Sequence, residues 1–242
     1  MFRLTGGIIE ASELTVEQIN EMFSLFCLYF NHVDREQFDR DLQEKNWVII
    51  LRDASCGGIK GFSTQMVMDR LVDGVTVKAV FSGDTIIHKD FWGEPALAKV
   101  WLNFVCSLAK RYDGTKLYWF LVAMGYKTYR FLPVYFNEFY PCYDRKTPQF
   151  EKNVLDSLAA FKYPFEYNKE AGIIHHASEK ETLKAGVADV TPTRMHNPHI
   201  DFFVKKNPGY SFGDELACLA LINEENLKPV ANRVMGAYGN SL

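Results

Sequence analysis

The sequence predicts an α/β fold on three observations. Residues 77–97 pass from a β-branched and aromatic run, through a chain reversal at Gly93, into apolar residues of helical period. Residues 116–124, KLYWFLVAM, form a short apolar run with the composition of a buried strand. Between these two strands, residues 101–112 are helical in period and stop at the turn pair Asp113-Gly114.

The remaining elements follow in chain order. In residues 16–32, Ile19, Met22, Phe23, Phe26, Cys27 and Phe30 make one helical stripe, and Thr15 and Gln18 have the spacing of a capping box. Residues 35–43 read as a second helix. Residues 47–52 and 59–68 read as two strands joined by a turn at 53–58, where Gly57-Gly58 supply positive φ. Asp73-Gly74 turns the chain into the strand carrying Val80, Phe81, Thr85, Ile86 and Ile87. Pro95 sits at a first helical position, where a missing N–H removes nothing. A helix starting there points unbonded N–H groups and a partial positive charge at the strand end, which suits an anion. Residues 125–139 read as aromatic helix or loop. Residues 153–161 form a short helix before the breaker Tyr163-Pro164, and residues 172–176 and 215–222 are strand-like.

This layout resembles the GCN5-related N-acetyltransferase (GNAT) superfamily over roughly residues 1–140. In that family the fourth strand leads through an Arg-Gly-x-Gly-x-Gly/Ala loop into a helix that cradles the pyrophosphate of acetyl-coenzyme A. Here the loop is Trp92-Gly93-Glu94-Pro95-Ala96-Leu97. Gly93 keeps the family residue, while Trp92 replaces the arginine, Pro95 the next glycine and Leu97 the final small residue. The resemblance implies a mixed, mainly antiparallel central sheet flanked by helices, formed by a core at 1–150. Residues 151–242 would complete the sheet and cap the cleft within one compact unit.

The order of helices, hairpin and strand also resembles two branches of the family, the acyl-homoserine-lactone synthases and the N-acyl amino acid synthases. Both use acyl carrier protein thioesters, whose phosphopantetheine has one phosphodiester and no pyrophosphate. A phosphate loop with few glycines suits such a donor. The resemblance therefore implies an acyltransferase that moves an acyl group from acyl-CoA or an acyl carrier protein to an amine or hydroxyl, with a small-molecule or amino-acid-like acceptor. It leaves a homodimer open. It also implies that Gly93, Glu94, Ala96 and Leu97 lie at the donor phosphate, and that the backbone of Ile86 and Ile87 pairs with the pantetheine arm.

Thioester acyl transfer needs a base for the acceptor, a donor for the oxyanion and an acid for the departing thiolate. Asp84 and His88 are the ionisable side chains on the fourth-strand segment, and a regular strand would put both on one face. Either is a candidate base. The family's acid is a tyrosine after the fifth strand, and Tyr129 and Tyr135 stand nearest that position. Trp119, Phe120, Phe131, Tyr135, Phe136, Phe139 and Tyr140 form either an acyl tunnel or core. The alternative is a catalytically inactive GNAT-like protein that binds a thioester, lipid or protein partner.

Composition narrows the field. A net charge of −3 over 242 residues gives no electrostatic case for nucleic acid. Lys127, Arg130, Arg145 and Lys146 offer a local patch for an acidic carrier. No apolar run has the length of a membrane span, and the first residues lack a signal-peptide core, so the expectation is a cytoplasmic protein. Five scattered cysteines argue against disulfides and structural zinc. His175-His176, His196-x-x-His199 and Asp201 form the alternative metal set, but adjacent strand histidines face opposite ways, and no metal is expected. Cys142 is the alternative nucleophile, with Arg145 as its nearest cation.

Overall fold

The computed structural model describes residues 3–176 and 181–236. Strand β1 (Leu4–Glu10) was not anticipated, because Gly6-Gly7 interrupts its alternation. Glycine is needed at position 6, where a Cβ would come within 2.7 Å of Leu51 Cδ2 and 2.8 Å of Val100 Cγ2. Helix α1 (Val16–Tyr29) starts at the expected capping box and turns Met22, Leu25, Phe26 and Tyr29 inward. It stops short of His32, since Phe30–Asn31 (β2) is extended and pairs with residues 182–183. Helix α2 (Arg35–Gln43) is capped by Asp34, whose Oδ1 accepts from Gln37 N–H at 2.7 Å.

Strands β3 (Trp47–Asp53), β4 (Ile59–Val72) and β5 (Val75–Ile87) make an antiparallel meander. Gly57 alone supplies positive φ in the first turn, and Asp73 and Gly74 both supply it in the second. Helix α3 (Ala96–Arg111) leads back to β6 (Lys116–Ala123), which lies parallel to β5. Residues 125–139 contain two short helices, α4 (Tyr126–Tyr129) and α5 (Phe131–Tyr135). Then follow α6 (Gln149–Lys162), β7 (Tyr167–Asn168), β8 (Ile173–Ile174), β9 (Thr182–Leu183), α7 (Pro198–Lys206), β10 (Glu215–Leu221) and α8 (Pro229–Gly236).

The main sheet has the order β1-β3-β4-β5-β6-β10-β8-β7, and every pair in it is antiparallel except β5–β6. It is the mixed, mainly antiparallel, helix-flanked sheet predicted from the sequence. Strand alternation divides its apolar residues between two faces. Leu117, Trp119 and Leu121 of β6 pack with Trp101 and Leu102 of α3 and Phe203 of α7. Tyr118 and Phe120 face the other way, onto Val154, Leu155 and Leu158 of α6. Further along that second face, Val48, Ile50 and Phe62 pack under α1 and α2. Among the described residues no helix is long and apolar enough to cross a membrane.

Candidate active site

The parallel pairing of β5 and β6 runs from Val77–Lys116 to Ser82–Leu121 and stops there. Beyond it β5 continues to Ile87 held by β4 alone, and β6 continues to Ala123 held by β10. The two strands part, and a cavity of about 750 Å³ occupies the wedge. The parting coincides with a bulge. Gln65 pairs with Ser82 and Ser63 with Thr85, so Gly83 and Asp84 together oppose Thr64. Gly83 has to be a glycine, because a Cβ would stand 2.6 Å from Thr64 Oγ1 and 3.0 Å from Lys45 Cε.

The bulge brings Asp84 to the cavity wall, beside Lys45, Tyr163, His176, Glu181 and Glu215. Burial pushes the Asp84 carboxyl up to about 7, with Lys45 pulling the other way and Asp41, Glu181 and Glu215 adding to the rise. Lys45 is itself buried, donates to Asp41 O at 2.7 Å, and is held below the usual ammonium range by burial and by Lys162. Lys162 pairs with Glu44, and His176 Nε2 lies 2.7 Å from Glu215 Oε2. A carboxyl that changes charge near neutrality, in a cavity beside a strand edge, can accept a proton from a bound nucleophile.

His88 is not brought to Asp84. The strand ends at Ile87, and the His88 ring caps the short turn Lys89–Phe91, with Nδ1 accepting from Asp90 N–H at 3.4 Å. It lies outside the cavity lining, because β5 stops at Ile87 and the alternation that put the two residues on one face stops with it. Tyr129 is fully buried, stacks among Phe139, Phe202 and Phe203, and donates to Pro141 O at 2.9 Å. It does not line the cavity, and burial holds its hydroxyl far above the usual range. Tyr135 does line it, next to Phe131 with ring centroids 5.9 Å apart, and burial raises its hydroxyl too.

The loop 92–97 forms the other end of the cavity. Gly93 takes φ +93°, a conformation that favours glycine. Pro95 is the cap rather than the first helical residue, and Lys99 N–H to Pro95 O at 2.9 Å is the first bond of α3. The N–H groups of Ala96, Leu97 and Ala98 precede that bond. Gly93, Glu94 and Leu97 line the cavity, whereas Ala96 is buried outside its lining. The Glu94 carboxylate is held by Arg3 Nε at 2.9 Å and by Leu4 N–H at 3.3 Å, which ties β1 to the loop. Ile86 and Ile87 line the wedge, but the Ile87 carbonyl already accepts from Trp92 Nε1 at 2.8 Å. Lys127, Arg130 and Arg194 also line the cavity, with the Lys127 ammonium 3.5 Å from the Trp92 ring centroid.

Of the candidate tunnel aromatics, Phe131 and Tyr135 reach the cavity, while Trp119, Phe120, Phe136, Phe139 and Tyr140 are buried in the packing. The apolar wall comes instead from Phe26, Phe30, Phe38, Ile86 and Leu183. No sequence signal links Lys45, Tyr163, Arg194 and Glu215, which sit at element ends far apart in the chain with no common spacing. The residues of the alternative chemistries have these partners. His175 pairs with Asp214 and His176 with Glu215, and among the described residues no three potential ligands converge on a metal position. The Cys142 thiol is buried, bonds Asp144 at 3.1 Å and is pushed up by both effects, so it makes a poor nucleophile.

No family model and no curated protein matches this chain. Solved structures do resemble it. One is a conserved protein of unknown function from Enterococcus faecalis described as a probable N-acyltransferase, at 16% identity, with 56% of this chain and 33% of that one covered and a TM-score of 0.42. Another is a GNAT family N-acetyltransferase from Escherichia coli in complex with CoA, at 14% identity, with 54% and 68% covered and a TM-score of 0.40. A third is N-myristoyltransferase from Saccharomyces cerevisiae with bound myristoyl-CoA, at 15% identity, with 52% and 34% covered and a TM-score of 0.39. The chain thus spans about a third of the first and third of these proteins.

Proposed function

We propose that the protein is a GNAT-like acyltransferase that takes an acyl group from a phosphopantetheine thioester, on coenzyme A or an acyl carrier protein, and passes it to an amine or hydroxyl. The observation that carries this reading is the wedge opened where β5 leaves β6 after Ser82, with Asp84 delivered to its wall by the bulge. A pantetheine arm lying in the wedge would add amide partners to the edge of β5 that no strand covers between Gly83 and Ile87, short of the Ile87 carbonyl that Trp92 Nε1 holds, as an added strand does. The acyl carbonyl would then sit near the bulge. Asp84 would accept the proton of the attacking amine or hydroxyl, the C–S bond would break as the new C–N or C–O bond forms, and the thiolate would take a proton. Of the two tyrosines expected for that last step, Tyr135 is the one with access to the cavity.

The test is thiol release from octanoyl-coenzyme A and octanoyl-phosphopantetheine against a panel of amines and alcohols. Acceptor-dependent release, lost in Asp84→Asn with donor binding retained, supports the reading. Full turnover in Asp84→Asn removes that residue from the mechanism. One observation favours the non-catalytic alternative: the Tyr129 hydroxyl is committed to Pro141 O, away from the wedge. That reading predicts thioester binding with no acceptor-dependent release.

A further inference from the structure

The cavity lining carries three cations from residues 127–130 and 194. Lys127 lies on α4, Arg130 follows directly after that helix, and Arg194 comes from a separate turn, yet all three line the same cavity as the loop before α3. Lys127 rests on the Trp92 ring at 3.5 Å, and the Arg194 guanidinium lies 5.3 Å from the Tyr126 ring centroid while bonding the Tyr126 hydroxyl and Asp189 O. Burial and the nearby Arg194 both lower the proton affinity of Lys127. The acids close by are engaged elsewhere: Glu94 with Arg3 and Leu4 N–H, and Asp189 with Gly186 N–H at 3.0 Å. The loop, by contrast, is poorly equipped for phosphate. Pro95 has no N–H, Ala96 lies outside the lining and Glu94 adds a negative charge, which leaves the N–H groups of the lining residues Leu97 and Ala98.

The geometry points to a phosphate site made of the side chains of Lys127, Arg130 and Arg194, with Trp92 under the Lys127 ammonium, which holds the 4′-phosphate of a phosphopantetheine donor where the loop offers few amides. This rests on the wedge reading of the donor. Trp92 thus does more than displace the family's arginine: its ring positions a lysine from another element where a cation is wanted. With few loop amides and the Glu94 carboxylate in the same lining, the site fits a single phosphate better than a pyrophosphate.

Isothermal titration of the whole chain with octanoyl-pantetheine, octanoyl-4′-phosphopantetheine and octanoyl-coenzyme A tests this. The phosphate should tighten binding roughly tenfold or more, as hydrogen bonds to charged groups do, with coenzyme A adding nothing further. That advantage should shrink as salt is raised on the unaltered protein. It should also collapse in Lys127→Met/Arg130→Gln while octanoyl-pantetheine binds as before. Equal affinity for the pantetheine and phosphopantetheine thioesters overturns the phosphate site and leaves the wedge reading standing. A further large gain from coenzyme A overturns the single-phosphate assignment. Binding of none of the three overturns both.

Discussion

Asp84 should make the protein less stable as pH rises, and the size of the effect can be worked from its surroundings. An exposed aspartate loses its proton near 3.8, whereas Asp84 holds its proton up to about 7 because burial disfavours the anion. The folded state therefore binds the proton more tightly than the unfolded one. Below pH 3.8 both states are protonated and nothing is lost. Between about 3.8 and about 7 the unfolded chain ionises first, and stability falls throughout that window. At about 1.4 kcal/mol per tenfold in proton affinity, the ionised carboxylate costs the fold on the order of 4 kcal/mol above neutrality. Asn has nearly the same shape and never ionises. Asp84→Asn should thus gain on the wild type by about 2 kcal/mol at pH 5 and about 4 kcal/mol at pH 8. Urea unfolding of both proteins at the two pH values reads the difference. A stability difference that stays constant between pH 5 and pH 8 would refute the buried-carboxyl argument.

Three further outcomes test the surrounding frame. Gly83→Ala forces a Cβ against Thr64 Oγ1 and Lys45 Cε, and should destabilise by about 1–3 kcal/mol in urea unfolding, as overpacking does. Tyr129→Phe removes the bond to Pro141 O and should lower stability by about 1 kcal/mol while leaving thioester affinity unchanged in titration. Glu94→Gln weakens the link between β1 and the loop, whose Arg3 partner is exposed, so unfolding should shift by less than about 1 kcal/mol. Affinity for octanoyl-phosphopantetheine should rise slightly in that variant as a nearby like charge disappears.

Local signals made much of the fold legible. The capping box at Thr15 and Gln18 marked the start of α1, and the glycine turns separated β3, β4 and β5 where they are found. The apolar run 116–124 marked β6, and residues 215–222 became β10 beside it. What failed was information held in contacts between distant residues. Gly6 and Gly7 look like a loop until Leu51 and Val100 press against β1. His88 looks like a companion of Asp84 because a two-residue period assumes that the strand continues, whereas β5 stops at Ile87 and the His88 ring turns to cap Lys89–Phe91. Tyr129 and Tyr135 look equivalent in sequence, and only the packing of α7 decides that one is sealed in and the other reaches the wedge. Lys45, Tyr163, Arg194 and Glu215 reach the cavity from four different parts of the chain, so no window of sequence contains them together.

The wedge itself is tested most directly by amide hydrogen exchange, residue by residue, with and without octanoyl-phosphopantetheine. The β5 amides between Gly83 and Ile87 that turn away from β4 form the edge left open where the parallel pairing ends, and a ligand bonded along that edge slows their exchange. The account predicts protection centred on Gly83–Ile87 and on residues 122–125 beyond the end of that pairing. Binding that protects other segments while these amides exchange at the unliganded rate would contradict it.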